Sequence, residues 1–186
     1  MLNLNQVIEK YGEPDILIDN NCSKIGYALW KIEDKIDYFY GQNINDEDPI
    51  ERLNKTIQKW VKSKSEISAV GYISYDIKNI IYPHINFKSI PNEPLYWFVK
   101  PKKIIRYMIK NEKTYTKNSN CIDLVDDILS KRKYISIMKK IKKELKQGNV
   151  YQINMTMTKK YKIKIDPFLL YLLVRKIAKP EFGYYI

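Results

Sequence analysis

The residues best suited to chemistry lie between Gly148 and Thr158, in the stretch GNVYQINMTMT. Side chains alternate across a strand with a period of two, so the pattern predicts a strand with Tyr151, Ile153, Met155 and Met157 on one face and Gln152, Asn154, Thr156 and Thr158 on the other. One face is apolar; the other is polar but uncharged. A row of neutral donors and acceptors is suited to lining a cavity for a polar ligand, and a solvated face more often carries Lys and Glu. An ordinary half-buried strand with a wet outer face is the alternative.

The element before this stretch positions it. Tyr134, Ile137, Met138, Ile141 and Leu145 recur at helical spacing, which predicts a helix with that stripe inward and Lys139, Lys140, Lys142, Lys143 and Lys146 in solvent. Gly148 suits the left-handed residue that ends such a helix. Upstream, Asp48-Pro49-Ile50-Glu51 is a helix start. Asp48 can accept from first-turn N–H groups, and the N–H that Pro49 lacks would have gone unpaired anyway. Ile50, Leu53, Ile57 and Trp60 form its buried stripe. Asp166-Pro167 begins a last helix in the same manner. A short helix is expected over 3–10, with strands over 16–18, 25–30, 36–40, 69–75, 95–99 and 103–109. After the last of these, a turn at Lys110-Asn111-Glu112 returns the chain as a hairpin. Strands and helices without strict βαβ alternation favour an α+β fold.

Gly148-Asn149-Val150-Tyr151-Gln152-Ile153-Asn154-Met155-Thr156 resembles the GDIYQVNLT signature of chorismate-utilising enzymes, in particular the large subunits (component I) of aminodeoxychorismate synthase and anthranilate synthase. Gly71-Tyr72-Ile73-Ser74-Tyr75-Asp76 is similar to the family's GYLSYD strand. Asp166-Pro167-Phe168 through Pro180-Glu181-Phe182 is similar to its helix and NPAPF segment. All three occur in the family's order, from about Gly71 onward.

The resemblance implies a four-layer α/β/β/α fold with two orthogonally packed antiparallel sheets. Residues 1–130 would be the amino-terminal region of component I and residues 131–186 the start of the chorismate-binding region. Gln152, Asn154 and Thr156 would line the substrate site, and Phe182 and Gly183 would be a remnant of an effector pocket. The resemblance also implies Mg²⁺, chorismate and a glutamine amidotransferase partner subunit (component II). The SPE segment, the acidic Mg²⁺ ligands, the catalytic glutamate and the lysine nucleophile of this family have no counterpart among these residues, so no catalytic residue and no metal ligand is assigned. Phe182-Gly183-Tyr184-Tyr185-Ile186 is a core-type strand at the chain end, and the expectation is an amino-terminal fragment.

Gln152 separates the reactions within the group. Members that add water to the ring carry a lysine base at this position, and glutamine takes no proton at neutral pH. Unprotonated ammonia is already a nucleophile, so Gln152 favours the ammonia users. Anthranilate synthases carry an LLES-like segment for binding tryptophan; Ile16-Leu17-Ile18-Asp19-Asn20 lacks its Glu-Ser pair, and Glu181 replaces a proline of the same pocket. The lean is toward aminodeoxychorismate synthase, which feeds 4-aminobenzoate and folate synthesis, with anthranilate synthase and a non-catalytic binding module as alternatives.

The net charge of +12 supplies a rival reading. Residues 1–50 hold four Lys/Arg against ten Asp/Glu, leaving 29 against 11 in the remainder, an asymmetry that suits a nucleic-acid surface. Only four of the 33 basic residues are arginine, the better reader of phosphate and guanine, which weighs against that partner. Cys22 and Cys121 match no metal or redox spacing, and no apolar run is long enough to span a membrane. A cytoplasmic protein is expected, with His84 and the Tyr72, Tyr75 and Asp76 group serving as turn and packing residues.

Overall fold

The structure, a computed structural model, describes residues 1–44, 47–85, 87, 92–110, 122–127, 129–157 and 159–186. It divides into two compact units, one formed by residues 1–114 with 175–186 and the other by residues 115–174.

The first unit begins with helix α1 (Leu4–Tyr11). Asn3 caps it by accepting from Gln6 N–H, while the Gln6 side chain accepts from Asn3 N–H, so two donors that a helix start leaves open are satisfied reciprocally. Strand β1 (Ile16–Asn20) then pairs antiparallel with β2 (Ile25–Phe39). Helix α2 (Pro49–Val61) follows, its cap Asp48 accepting from Ile50 N–H and Glu51 N–H at 2.9 and 2.8 Å. Strand β3 (Val70–Ile73) leads into a 3₁₀ turn (Tyr75–Ile77) and the single-turn helix α3 (Lys78–Ile81). Strand β4 (Pro94–Met108) pairs antiparallel along the length of β2 on one edge and with β3 on the other.

Two expectations are corrected here. The paired short strands at 25–30 and 36–40 are one 15-residue strand, and so are those at 95–99 and 103–109. The polar stretch that looked like a break in β2 is an irregularity in its register with β4 between Ile32 and Asp34, beside Lys31 with φ of 61°. A bulge bends a strand without ending it. The turn expected at Lys110-Asn111-Glu112 falls largely outside the described residues.

Helix α2 covers one end of the sheet. Leu53 and Trp60 join Ile36, Tyr38, Leu95 and Tyr96 in one buried cluster, with Ile57, Ala69, Ile77 and Ile80 against it. The Trp60 indole N–H donates to Asp34 at 3.0 Å, and the Tyr96 hydroxyl donates to the Pro49 carbonyl at 3.0 Å, so the polar tips of both aromatics are satisfied. Strand β7 (Phe182–Tyr185) pairs antiparallel with β1 and completes a five-stranded sheet in the order β3-β4-β2-β1-β7.

The second unit contains β5 (Ile122–Asp127) paired antiparallel with β6 (Lys159–Ile163), and helix α4 (Lys131–Lys146). Helix α5 (Pro167–Ala178) starts in this unit, with Asp166 accepting from Leu169 N–H at 3.0 Å, and its last residues belong to the first. The helix expected before Gly148 is present, yet its apolar stripe is only partly sequestered. Ile137, Met138 and Ile141 are half-buried while Tyr134 and Leu145 are exposed. The two antiparallel sheets and their helices make an α+β fold. No described helix is long and apolar enough to cross a membrane.

Candidate functional site

The polar stretch is held at its amino-terminal side by the end of α4. Gly148 adopts a φ of 74°, as expected, and Asn149 N–H reaches the Glu144 carbonyl at 3.1 Å, closing the helix. Asn149 also donates through Nδ2 to the Glu144 carboxylate at 2.7 Å. Beyond it the expected strand does not form. Residues 152–157 run without regular structure, and Thr158 lies outside the described residues. The physical reason is pairing. An alternating side-chain pattern becomes a strand only when a neighbour takes up its backbone N–H and C=O groups, and no described strand pairs with this stretch.

Gln152, Asn154 and Thr156 are therefore exposed, three neutral polar side chains along one segment. Gln152 Nε2 donates to Asn154 Oδ1 at 3.5 Å, a long contact that leaves both amides most of their hydrogen-bonding capacity. The intended apolar face is exposed as well, with Tyr151 fully accessible and Met155 half-buried.

Phe182 and Gly183 lie on β7, where Phe182 pairs with Asn20 and Gly183 with Asp19 of β1. The two stretches that the sequence comparison ties to an effector pocket are thus adjacent strands. Asp19 is fully buried, and its carboxylate is engaged. Tyr107 of β4 donates its hydroxyl to Oδ1 at 2.6 Å, while Arg175 of α5 binds Oδ2 through Nε at 2.7 Å and Oδ1 through Nη2 at 2.9 Å. A two-point guanidinium contact with a carboxylate fixes direction as well as charge.

This three-residue network is absent from the sequence reading. A weak signal for it existed. Arg175 is one of four arginines among 33 basic residues and ends the long apolar run of the helix PFLLYLLVRKIA, just before Lys176, where a buried guanidinium needs an acid.

The remaining candidates occupy turn and surface positions. Tyr72 stacks on Trp97 with ring centres 6.3 Å apart, and Asp76 pairs with Lys78 at 2.5 Å, whose ammonium also lies over the Tyr75 ring at 4.6 Å. His84 is exposed and meets Tyr82 edge-on at 6.3 Å. Cys22 is an exposed free thiol, and Cys121 lies outside the described residues. Among the described residues no three His, Cys, Asp or Glu side chains gather as ligands for a metal ion, so these residues do not fit a Mg²⁺ site.

A family model of chorismate binding enzymes matches residues 13–186. The chain belongs to the chorismate-binding enzyme family. No curated protein matches it at a significant level. The family match begins well upstream of Gly71, so it takes in β1, β2 and α2 as well as the three motifs. In this chorismate-binding chain the Asp19, Tyr107 and Arg175 network and the segment carrying Gln152 both fall within the matched span.

Proposed function

We propose that this chain contributes to an enzyme that aminates chorismate, and specifically that it is the amino-terminal part of aminodeoxychorismate synthase component I. The product is 4-amino-4-deoxychorismate, destined for 4-aminobenzoate and folate. Gln152 carries the reading. In a signature otherwise shared with the family it stands where the water-adding members place a lysine base, and an amide cannot deprotonate water. Ammonia needs no such base, and a glutamine amidotransferase subunit would supply it in the cytoplasm. Gln152, Asn154 and Thr156 would hold chorismate through neutral hydrogen bonds as part of a larger four-layer fold.

The environment of Asp19 supports the choice between the two ammonia users. A tryptophan pocket needs an acid available to the ligand's ammonium. The acid in the LLES-like stretch is buried and already bonded to Arg175 and Tyr107. Mg²⁺ would be held by acidic residues outside those described, so the roles derived for this chain are binding and orientation of chorismate.

The test is to translate the reading frame onward from the Ile186 codon, express the resulting protein, and supply chorismate, Mg²⁺ and ammonium. 4-Amino-4-deoxychorismate, identified by mass and by the absence of anthranilate fluorescence, is the expected product. Anthranilate, isochorismate, or a frame without acidic metal-binding motifs would overturn the reading.

A further inference from the structure

The second unit leaves much of its apolar surface uncovered. Among the described residues, Phe168 and Leu172 of α5 are its only buried apolar side chains, and α4 contains no buried residue. In the β5–β6 ribbon, Ile122 lies opposite Ile163 and Leu124 opposite Tyr161, so these four share one face, and all four are exposed. Apolar surface of this extent marks a place where something else docks.

We propose that α4 binds an anionic lipid surface, lying flat in the plane of the interface. At 3.6 residues per turn, Tyr134, Ile137, Met138, Ile141 and Leu145 fall within about a third of the helix circumference. Lys131 and Lys142 flank this stripe on one side, Lys133 and Lys140 on the other, and the remaining four cations lie behind them. The helix carries a single acid, Glu144, whose carboxylate accepts from Asn149. All the cations of α4 are exposed, and none forms an ion pair with a described residue.

The combination selects the occupant. A nucleic acid needs the cations but has no use for an apolar stripe. A groove on a partner protein would take the stripe and leave most of the lysines in water. An anionic bilayer satisfies both, because the stripe enters the boundary between headgroups and acyl chains while the flanking lysine stems lie along it and lift their ammonium groups to the phosphates. Every cation of α4 except Arg132 is a lysine, a point charge with no demand for bidentate geometry, which suits a fluid array of headgroups. The charge of the whole unit has the same sign. Residues 115–174 hold thirteen Lys/Arg against five Asp/Glu, so an anionic surface attracts the unit before the helix settles. Lipid binding of this kind is independent of the chorismate product formed.

Vesicle co-sedimentation of the 186-residue protein is the test, with phosphatidylcholine alone compared against phosphatidylcholine containing about 30% phosphatidylglycerol. Binding is expected on the anionic vesicles and not on the neutral ones. K140Q/K142Q should weaken it by about tenfold or more, since each lysine near the surface contributes separately. Y134S/L145S, which leaves the charge unchanged, should weaken it by about tenfold as well. These four side chains are exposed, so both variants keep the parent melting temperature. K59Q/K62Q on α2 should leave affinity within about twofold. The proposal is overturned if anionic vesicles are not bound, or if neutral vesicles are bound equally. It is overturned too if Y134S/L145S binds like the parent, because the surface is then a general polyanion binder for nucleic acid or acidic protein. The protein translated onward from the Ile186 codon is tested in parallel. Loss of vesicle binding there would make the stripe an internal packing face and overturn the proposal, whatever product that protein makes.

Discussion

Gly26 of β2 lies directly under the ring of Tyr107 on β4, its register partner, so close that a methyl group at Gly26 would overlap the ring carbon Cζ and the hydroxyl oxygen. Tyr107 is fully buried and its hydroxyl is committed to Asp19, so the ring cannot move aside without breaking that bond.

Gly26→Ala is therefore expected to destabilise the protein by about 2 to 3 kcal/mol through overpacking. At Gly71 the added carbon would meet the backbone of Trp97 and Phe98 on β4. Backbone yields less than a side chain, so Gly71→Ala should cost more. Urea denaturation of both variants checks the order, and equal or reversed losses would contradict it.

Breaking the buried pair by removing one partner leaves an uncompensated charge. Arg175→Met or Asp19→Asn should each cost about 3 to 5 kcal/mol. The double variant D19N/R175M should recover part of that loss, because neither charge is left alone. A double-mutant cycle by chemical denaturation gives the coupling, and additive losses would mean the two residues act separately.

Burial holds the Tyr96 hydroxyl above the ordinary tyrosine value of 10.0, against a smaller opposing effect of Arg52. A folded-state value raised above the unfolded one means that the neutral form is favoured by folding. That stability is fully present below about pH 10 and is lost as the pH rises through the folded value. Tyr96→Phe removes this titration and the bond to Pro49 at a cost of about 1 kcal/mol. Melting curves from pH 8 to pH 11 should fall less steeply for the variant than for the parent protein.

Asp48 accepts two first-turn N–H bonds at the start of α2, a helix that anchors Leu53 and Trp60 in the core. Asp48→Ala should cost about 1 kcal/mol, and Asp48→Ser much less. Thermal unfolding of the pair separates loss of the cap from loss of the charge.

The elements whose signals are local were legible in the sequence. Asp48-Pro49, Asp166-Pro167 and Gly148 each carry a cap or stop whose chemistry acts within one turn, and the structure has helix ends at all three. The long strands were not, because a bulge at Ile32 to Asp34 looks like a loop when only polarity is visible. The segment with Gln152, Asn154 and Thr156 has the alternation of a strand, but alternation describes side chains and a strand is held by its neighbour's backbone. Asp19, Tyr107 and Arg175 were illegible for a different reason. Nothing in the spacing of residues so far apart records that the sheet and α5 bring them together.

That separation gives the buried pair a timetable. Arg175 follows Asp19 by 156 positions, so at roughly 5 to 20 residues per second a ribosome exposes the acid some ten to thirty seconds before its guanidinium partner exists. Tyr107 arrives earlier, 88 positions after Asp19, and can hold the carboxylate by one bond in the interval. The nascent β1, β2 and β4 sheet must therefore tolerate a half-matched acid until α5 arrives.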